Sequence, residues 1–420
     1  MLDIKFIRQN PKLIEEKSKQ KGYPSDIQKL LKVDKERRKL IEEVDQLRSD
    51  RKKAADARDE KKGNEIKSSL KSKEDRLEKL QEDFYKLIRN IPNIPKDDVP
   101  VGKDESQNEI VKTSGKKPDF GFKPKDHLEL GVVNDLIDIE RAAKVSGSRF
   151  SYLKNEAVIL EFALIKYALD VFFAEGFIPI IPPVIVNKNV IEGLGYPEYL
   201  SGEGYKLDDQ YLVGTAEHSI VAMHMDETFK DSDLPRRYIG FSTSFRREAG
   251  SYGKDTRGIF RVHQFDKLEM VSYVEEKDDD KENEFLLFLQ EKLFQSLEIP
   301  YQVVKMCTAE LGFPTARKYD IEAWIPSQGK YREVTSVSTT SDFQARRLNI
   351  KYQSGQNKKF VHILNGTAFA IGRTIIAILE NYQAKNGSIA VPKVLQKYTN
   401  FAKIPSEKIG LIKHASSVLL

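Results

Sequence analysis

Between Phe245 and Phe265 the chain sets four arginines, one lysine and only two acids on what reads as a strand–loop–strand ribbon. Phe245-Arg246-Arg247-Glu248 leads out and Arg261-Val262-His263-Gln264-Phe265 leads back. Guanidinium forks match phosphate and carboxylate oxygens, and an aromatic ring offers a flat surface to a base. Gly250, Gly253 and Gly258 allow backbone to come close to a ligand. The same composition also describes a basic surface hairpin, so the deciding residues must lie elsewhere. Arg373 lies in the beginning of a predicted helix, where a cation is unfavourable unless an anion is near. Glu269 alternates with Leu268 and Met270 and could be a solvated strand position. Glu333 could pair with the adjacent Arg332, while His263 and Trp324 read as packed core residues.

These residues need a scaffold. Residues 156–175 read as an apolar-rich helix with Gly176 just past its end. Strand-like runs follow at 178–186, 211–214, 237–244, 260–272, 301–307, 318–324, 333–338 and 359–365, and 367–382 reads as a long helix. Many strands with few crossover helices predict a mainly antiparallel sheet flanked by helices, an α+β architecture. No Gly-x-Gly-x-x-Gly or Walker-type loop is present, which argues against a Rossmann or P-loop site.

Ahead of this body, Val33, Arg37, Leu40, Val44, Leu47, Arg51, Ala54 and Arg58, then Ile66, Leu70, Lys73, Leu77, Leu80, Phe84 and Leu87, repeat with heptad spacing. Glu60-Lys61-Lys62-Gly63-Asn64 supplies a turn between them, and Pro92 and Pro95 stop the second helix. The pattern fits an antiparallel helical hairpin, although a dimerising coiled coil has the same spacing. Residues 32–89 carry 19 Lys+Arg against 15 Asp+Glu. A self-paired arm would leave Arg37, Arg38, Lys52, Lys53, Lys71 and Lys73 for an extended phosphate backbone. The predicted organisation is an N-terminal unit at 1–95 with its arm at about 30–90, a polar linker at 96–125, a body at 126–405 and a tail at 406–420.

Composition sets the outer bounds. The chain has 420 residues, 40% hydrophobic and 32% charged, with a net charge of +5. No apolar run approaches the ~20 residues that span a bilayer, so no membrane partner is expected. The N-terminus lacks a signal-peptide core. The single cysteine, Cys307, excludes an internal disulfide and reads as a buried thiol in a reducing, cytoplasmic setting. The six histidines show no zinc-ligand spacing.

Taken together, three segments resemble the motifs of class II aminoacyl-tRNA synthetases, and within that class the seryl-tRNA synthetase family, bacterial type. Gly176-Phe177-Ile178-Pro179-Ile180-Ile181-Pro182-Pro183 resembles the first motif, the arginine ribbon the second, and Gly366-Thr367-Ala368-Phe369-Ala370-Ile371-Gly372-Arg373 the third. Thr215-Ala216-Glu217, Asp342-Phe343-Gln344-Ala345-Arg346-Arg347 and Asn365-Gly366-Thr367 resemble seryl-specific segments. The resemblance runs from the first residues to about residue 400, the arm included.

It implies formation of seryl-adenylate from L-serine and ATP, then transfer to the 3′ end of tRNA(Ser), with a selenocysteine tRNA left open. In that scheme Arg246 bridges the serine carboxylate and the α-phosphate, Arg373 clamps the γ-phosphate, and Glu248 reads the adenine amino group. Phe265 and Arg373 sandwich the base, and the ATP site extends to Arg247, Val262, Glu333, Val334, Thr335 and Ser336. Glu333 and Ser336 hold Mg²⁺ against the phosphates. Thr215 and Glu217 take the serine ammonium group, with Ala216 between them in the serine site; Glu269 and Thr367 meet its hydroxyl. The first motif implies a homodimer.

The chain departs from the family pattern at several points. Gly214 stands where proline is usual, with His218-Ser219 following. Glu333-Val334-Thr335-Ser336-Val337 replaces Glu-Ile-Ser-Ser-Cys, and Thr367-Ala368 replaces Ser-Gly. Two rivals remain: a ligase that charges a carrier protein, disfavoured by the full-length arm, and a non-catalytic RNA-binding relative, disfavoured by Arg246, Glu248, Glu333 and Arg373.

Overall fold

The computed structural model describes residues 1–249 and 257–405. Gly250 and Gly253 of the ribbon and the tail from residue 406 lie outside the described residues. The chain divides into two compact units, Met1–Pro95 and Lys96–Leu420.

In the first unit, two short helices, α1 (Ile4–Gln9) and α2 (Pro11–Gln20), precede a helical hairpin formed by α3 (Ile27–Asp56) and α4 (Glu60–Arg89). At 1.5 Å per residue each long helix extends about 45 Å. The reversal falls at Ala57–Asp59, not at the expected Glu60–Asn64. Arg58 takes a left-handed φ of 53°, and the Asp59 carboxylate caps α4 by accepting from Lys62 N at 3.0 Å. Gly63 and Asn64 are therefore helical: an N-cap at the right place outweighs the ~1 kcal/mol cost of one helical glycine.

Leu40, Val44, Ala54, Leu70, Phe84 and Ile88 are buried along the seam. Among the six cations assigned to a nucleic acid, Arg37, Arg38 and Lys73 are paired within the fold. Arg37 lies over the Phe84 ring at 4.2 Å and pairs with Asp34, and Lys73 pairs with Glu43. Arg38 also reaches Asp34, at 3.2 Å. Lys52, Lys53 and Lys71 remain exposed.

The second unit is built on an eight-stranded sheet. Its strands are β1 (Glu109–Ser114), β2 (Ile178–Ile180), β3 (Arg236–Phe245), β4 (Gln264–Val274), β5 (Tyr301–Lys305), β6 (Arg317–Ile325), β7 (Lys330–Thr339) and β8 (His362–Ala370). Their spatial order is β1-β5-β6-β7-β8-β4-β3-β2, antiparallel throughout except for the β2–β3 pair. The expected α+β architecture is the one observed. β1 lies inside the stretch expected to be linker. Its residues are mostly exposed and do not alternate apolar with polar, which hid the strand, because an edge strand needs only backbone pairing with β5.

The helices that frame the site are α5 (His127–Val133), α6 (Glu156–Ala174), α7 (Glu217–Ala222), α8 (Asp279–Ser296) and α9 (Ile371–Asn381). α6 ends in a Schellman turn. Gly176 has φ 82°, Phe177 N donates to Phe172 O at 3.0 Å, and the two rings pack edge to face at 5.1 Å.

The sheet is buried on both sides, which the alternation along β4 shows directly. Leu268 and Met270 join Leu164, Leu289 and Ile375 in one core. Val271 and Tyr273 join Ile220, Val213 and Ile363 in the other. Trp324 is only half-buried, with Lys117 Nζ 3.8 Å above its ring, so it is not the core residue expected. Cys307 is buried and unpaired.

Candidate active site

Odd-numbered residues of β4 share one face: Phe265, Lys267 and Glu269 come before Val271 and Tyr273. The first three line a cavity of about 430 Å³, whose other walls come from β7, β8, α9, the returning ribbon and the loop at 196–218. Two β-bulges set its register. Leu268 pairs with Phe369 while Glu269 pairs with Thr367, so Ala368 is the extra residue on β8. That shift sets Thr367 directly opposite Glu269, and Thr367 Oγ1 donates to Glu269 Oε2 at 3.1 Å. Thr367 is thus a strand residue, not the start of a helix. The helix begins at Ile371, and Ala370 gives it no side-chain cap.

The second bulge lies in β7, where Ile321 pairs with Thr335 and Glu322 with Glu333. The extra residue is Val334. In a regular strand Glu333 and Ser336, three apart, would face opposite sides; after the bulge both line the cavity.

One end of the cavity is polar and closed. Thr215, Glu217, Lys267, Glu269 and Thr367 are all buried there. Lys267 Nζ lies 2.6 Å from Glu269 Oε2 and donates to Thr215 Oγ1 at 3.2 Å. Glu217 accepts from Tyr196 OH at 2.6 Å and from Gln344 Nε2 at 3.2 Å. Burial, followed by the nearby Glu269 charge, raises the Glu217 carboxyl above its ordinary value despite these donors and Lys267.

His218 stands next to this cluster. Burial, then the charges of Arg246 and Lys267, lower it to about 3, so it is neutral, and its Nδ1 accepts from Gly214 N at 3.3 Å. A proline at 214 would have no N–H to give. A Cβ at Gly214 would also stand 2.8 Å from the Tyr199 ring. The departures at 214 and 218 therefore form one matched pair.

The other end is cationic. Arg246 Nε donates to Gly214 O at 3.2 Å, and its guanidinium lies 5.5 Å from the Phe265 ring centroid. His263 is half-buried, not core: Nδ1 faces Arg246 O at 3.0 Å, and Arg246 N donates to His263 O at 3.0 Å. Glu248 has φ 52° and accepts from Arg261 at 3.0 Å. The amides of Glu248 and Ala249 donate to the Glu203 carboxylate at 3.1 and 3.0 Å. Arg373 pairs with Glu333 Oε2 at 3.0 Å and lies 4.8 Å from the Phe260 ring centroid. Burial pushes the Glu333 carboxyl up, but Arg373, Lys318 and Arg246 outweigh it and hold the group at about 2.

Of the expected residues, Thr215, Glu217, Arg246, Glu248, Val262, Phe265, Glu269, Glu333, Val334, Thr335, Ser336, Thr367 and Arg373 line this one cavity. Ala216 and Arg247 do not. Ala216 is packed in the core, and Arg247 turns outward onto Tyr205 at 5.1 Å, as alternation along extended chain dictates. Lys267, Tyr196 and Gln290 had not been singled out. Lys267 had a signal, since it precedes Glu269 by two on a strand and shares its face. Tyr196 had none, lying in an irregular segment. Gln290 is wholly buried in α8 and donates to Thr335 Oγ1, Ser336 O and Thr367 O at 3.0, 2.7 and 2.8 Å, tying β7 to β8.

Comparison with known proteins agrees with this fold. Residues 203–382 match the class II tRNA synthetase core domain (G, H, P, S and T), and residues 1–95 match the seryl-tRNA synthetase N-terminal domain. The fold is that of a class II aminoacyl-tRNA synthetase. The serine–tRNA ligase of Dictyoglomus thermophilum is 43% identical, over 97% of this chain and 100% of that protein. The crystal structure of seryl-tRNA synthetase from Pyrococcus horikoshii complexed with ATP superposes with a TM-score of 0.92 at 42% identity, covering 97% of this chain and 100% of that one. The cytoplasmic serine-tRNA ligase of Naegleria fowleri in complex with AMP follows at 0.89 and 32%, covering 97% and 99%. The chain belongs to the seryl-tRNA synthetase family.

Proposed function

We propose that the protein activates L-serine with ATP to seryl-adenylate and pyrophosphate, then transfers serine to the 3′ end of tRNA(Ser). The observation that carries this reading is the closed pocket of Thr215, Glu217, Lys267, Glu269 and Thr367 beside Arg246 in one cavity. It offers anionic and hydroxyl partners to a small, polar, positively charged molecule. Glu217 and Thr215 receive the ammonium group, and Glu269 with Thr367 receives the hydroxyl. Alanine brings no hydroxyl to them, so the polar groups desolvated around its methyl gain no new hydrogen bond, which a buried polar site penalises.

The serine carboxylate attacks the α-phosphorus and pyrophosphate leaves. Both reactants are anions, so alignment and charge neutralisation do most of the work and no general base is required. Arg246 spans carboxylate and α-phosphate. Phe265 stacks on adenine, Glu248 accepts from its amino group, and Arg373 holds the γ-phosphate beside the uncapped start of α9. A terminal ribose hydroxyl of the tRNA then attacks the adenylate carbonyl and releases AMP.

Mg²⁺ accompanies ATP. Ionised Glu333 and the Ser336 hydroxyl are two hard oxygen donors on one side of β7. No group of three or more His, Cys, Asp or Glu suited to a metal occurs among the described residues. Such a donor set fits an ion carried in by phosphates, where it would neutralise their charge.

The arm would contact tRNA through Lys52, Lys53 and Lys71. A homodimer is supported by β2, an edge strand of the sheet with Ile178 in it and Ile181 just past it exposed, and by Phe162 and Phe173 exposed on α6. No helix among the described residues is long and apolar enough to cross a membrane, and we assign the protein to the cytoplasm. Serine-dependent pyrophosphate exchange followed by charging of purified tRNA tests the reading. Exchange without serylated tRNA would point to the carrier-protein ligase; absence of both would sink it.

A further inference from the structure

We infer that His127, oriented by Glu380, is a positioning residue for the ATP-side wall of the cavity; the inference rests on the adenylation reading above. His127 opens α5, is buried, and has no part in the chemistry just described. Its ring joins two segments distant in sequence. Nδ1 lies 3.3 Å from Glu380 Oε1 on α9, and Nε2 lies 3.3 Å from the backbone nitrogen of Ile259. An amide N–H only donates, so Nε2 supplies a lone pair and the ring proton sits on Nδ1, facing the carboxylate. Glu380 is wholly buried, and its oxygens also accept from His127 N and Ser327 N, each at 3.0 Å. The carboxylate cannot swing away without leaving amides unpaired.

Steric contact fixes the same junction. Gly258 has φ 77°, and a Cβ there would stand 2.0 Å from His127 Nε2. The ribbon backbone thus passes against the imidazole with no space between. The next two residues, Ile259 and Phe260, are cavity wall. Phe260 O accepts from Arg373 Nε at 3.4 Å, and its ring carries the Arg373 guanidinium. Arg373 and Glu380 are seven residues apart on α9, about two turns. One helix therefore holds this wall twice, directly through Arg373 and indirectly through Glu380 and His127.

The test is ATP–pyrophosphate exchange with ATP and serine varied separately, together with equilibrium dialysis of ATP without serine. His127→Leu should raise the KM and Kd for ATP about tenfold, the scale of one buried hydrogen bond lost, with the KM for serine changed less than about twofold. His127→Gln, whose amide oxygen can accept from Ile259, should recover to within about threefold of the parent. Gly258→Ala should weaken ATP binding in the parent, and His127→Ala in the same chain should restore part of it by making room. If His127→Leu leaves ATP binding within about twofold of the parent, the inference is wrong. It is equally wrong if ATP and serine weaken together with a fall in Tm, since His127 would then only hold α5. A parent without serine-dependent exchange would overturn the functional reading instead, and the dialysis would still decide the role of His127.

Discussion

In the proposed reaction Arg246 is the residue on which the two reactants converge, and its planar fork is what a lysine lacks. Arg246→Lys is expected to slow serine-dependent exchange about a hundredfold without moving Tm, because its partners are a single carbonyl and a ring. Near-parental exchange would remove Arg246 from the site. Glu217 makes a pH prediction. Its carboxyl is raised by burial and by Glu269, so on acidification it takes up a proton before an ordinary carboxylate does. In the proposed role it would then no longer attract the serine ammonium group. The kcat/KM for serine should therefore fall on the acid side, starting above the usual carboxylate range. Glu217→Gln should lose most activity and flatten that limb, whereas an unchanged pH profile would refute the role. Residue types and spacing made the charged positions legible from sequence. They could not show that Lys267 already neutralises one of the pocket's two carboxylates, because that depends on a 2.6 Å approach formed only in the fold.

At the scale of elements, the strands themselves were readable from alternation, but the bulges that aim their side chains were not. Nothing in Glu333-Val334-Thr335-Ser336 announces that Val334 is the extra residue, since a bulge is a property of two strands and not of one. Helix limits failed for the opposite reason. Small residues at Thr367–Ala370 read as a helix start, yet pairing with β4 keeps them extended. Gln290 is the clamp between β7 and β8. Gln290→Leu should cost about 2 kcal/mol through unpaired acceptors on both strands and lower Tm; an unchanged Tm would show the clamp is idle. Asp279, at the start of α8, accepts from Thr339 at 2.7 Å and faces Lys96 and His362 at 2.5 and 2.7 Å. Burial would raise its carboxyl, but His362 and Lys96 hold it down at about 2. The folded-state value lies below the unfolded one, so the stabilisation is present above the ordinary carboxylate range and is lost as pH falls toward 2. Asp279→Asn should cost roughly 2 kcal/mol near neutrality, with the gap in Tm closing on acidification below about pH 4. A gap independent of pH would contradict that account.

At the largest scale the chain forms two units, which the heptad spacing and the prolines that follow it had marked in the sequence. Removal of residues 35–88 should leave serine-dependent pyrophosphate exchange close to the parent and abolish tRNA charging; equal loss of both would show that the arm supports the adenylation site. The far edge of the sheet has its own consequence. Among the described residues no strand pairs with the outer side of β2, and Ile181 beside it is 82% exposed. A lone subunit would offer incoming chains an unpaired backbone edge bordered by isoleucine. In the proposed dimer that edge is covered, so assembly would protect the protein from its own aggregation. Dilution, or a charge introduced at Phe162, should then shorten its life in solution before it measurably weakens its chemistry.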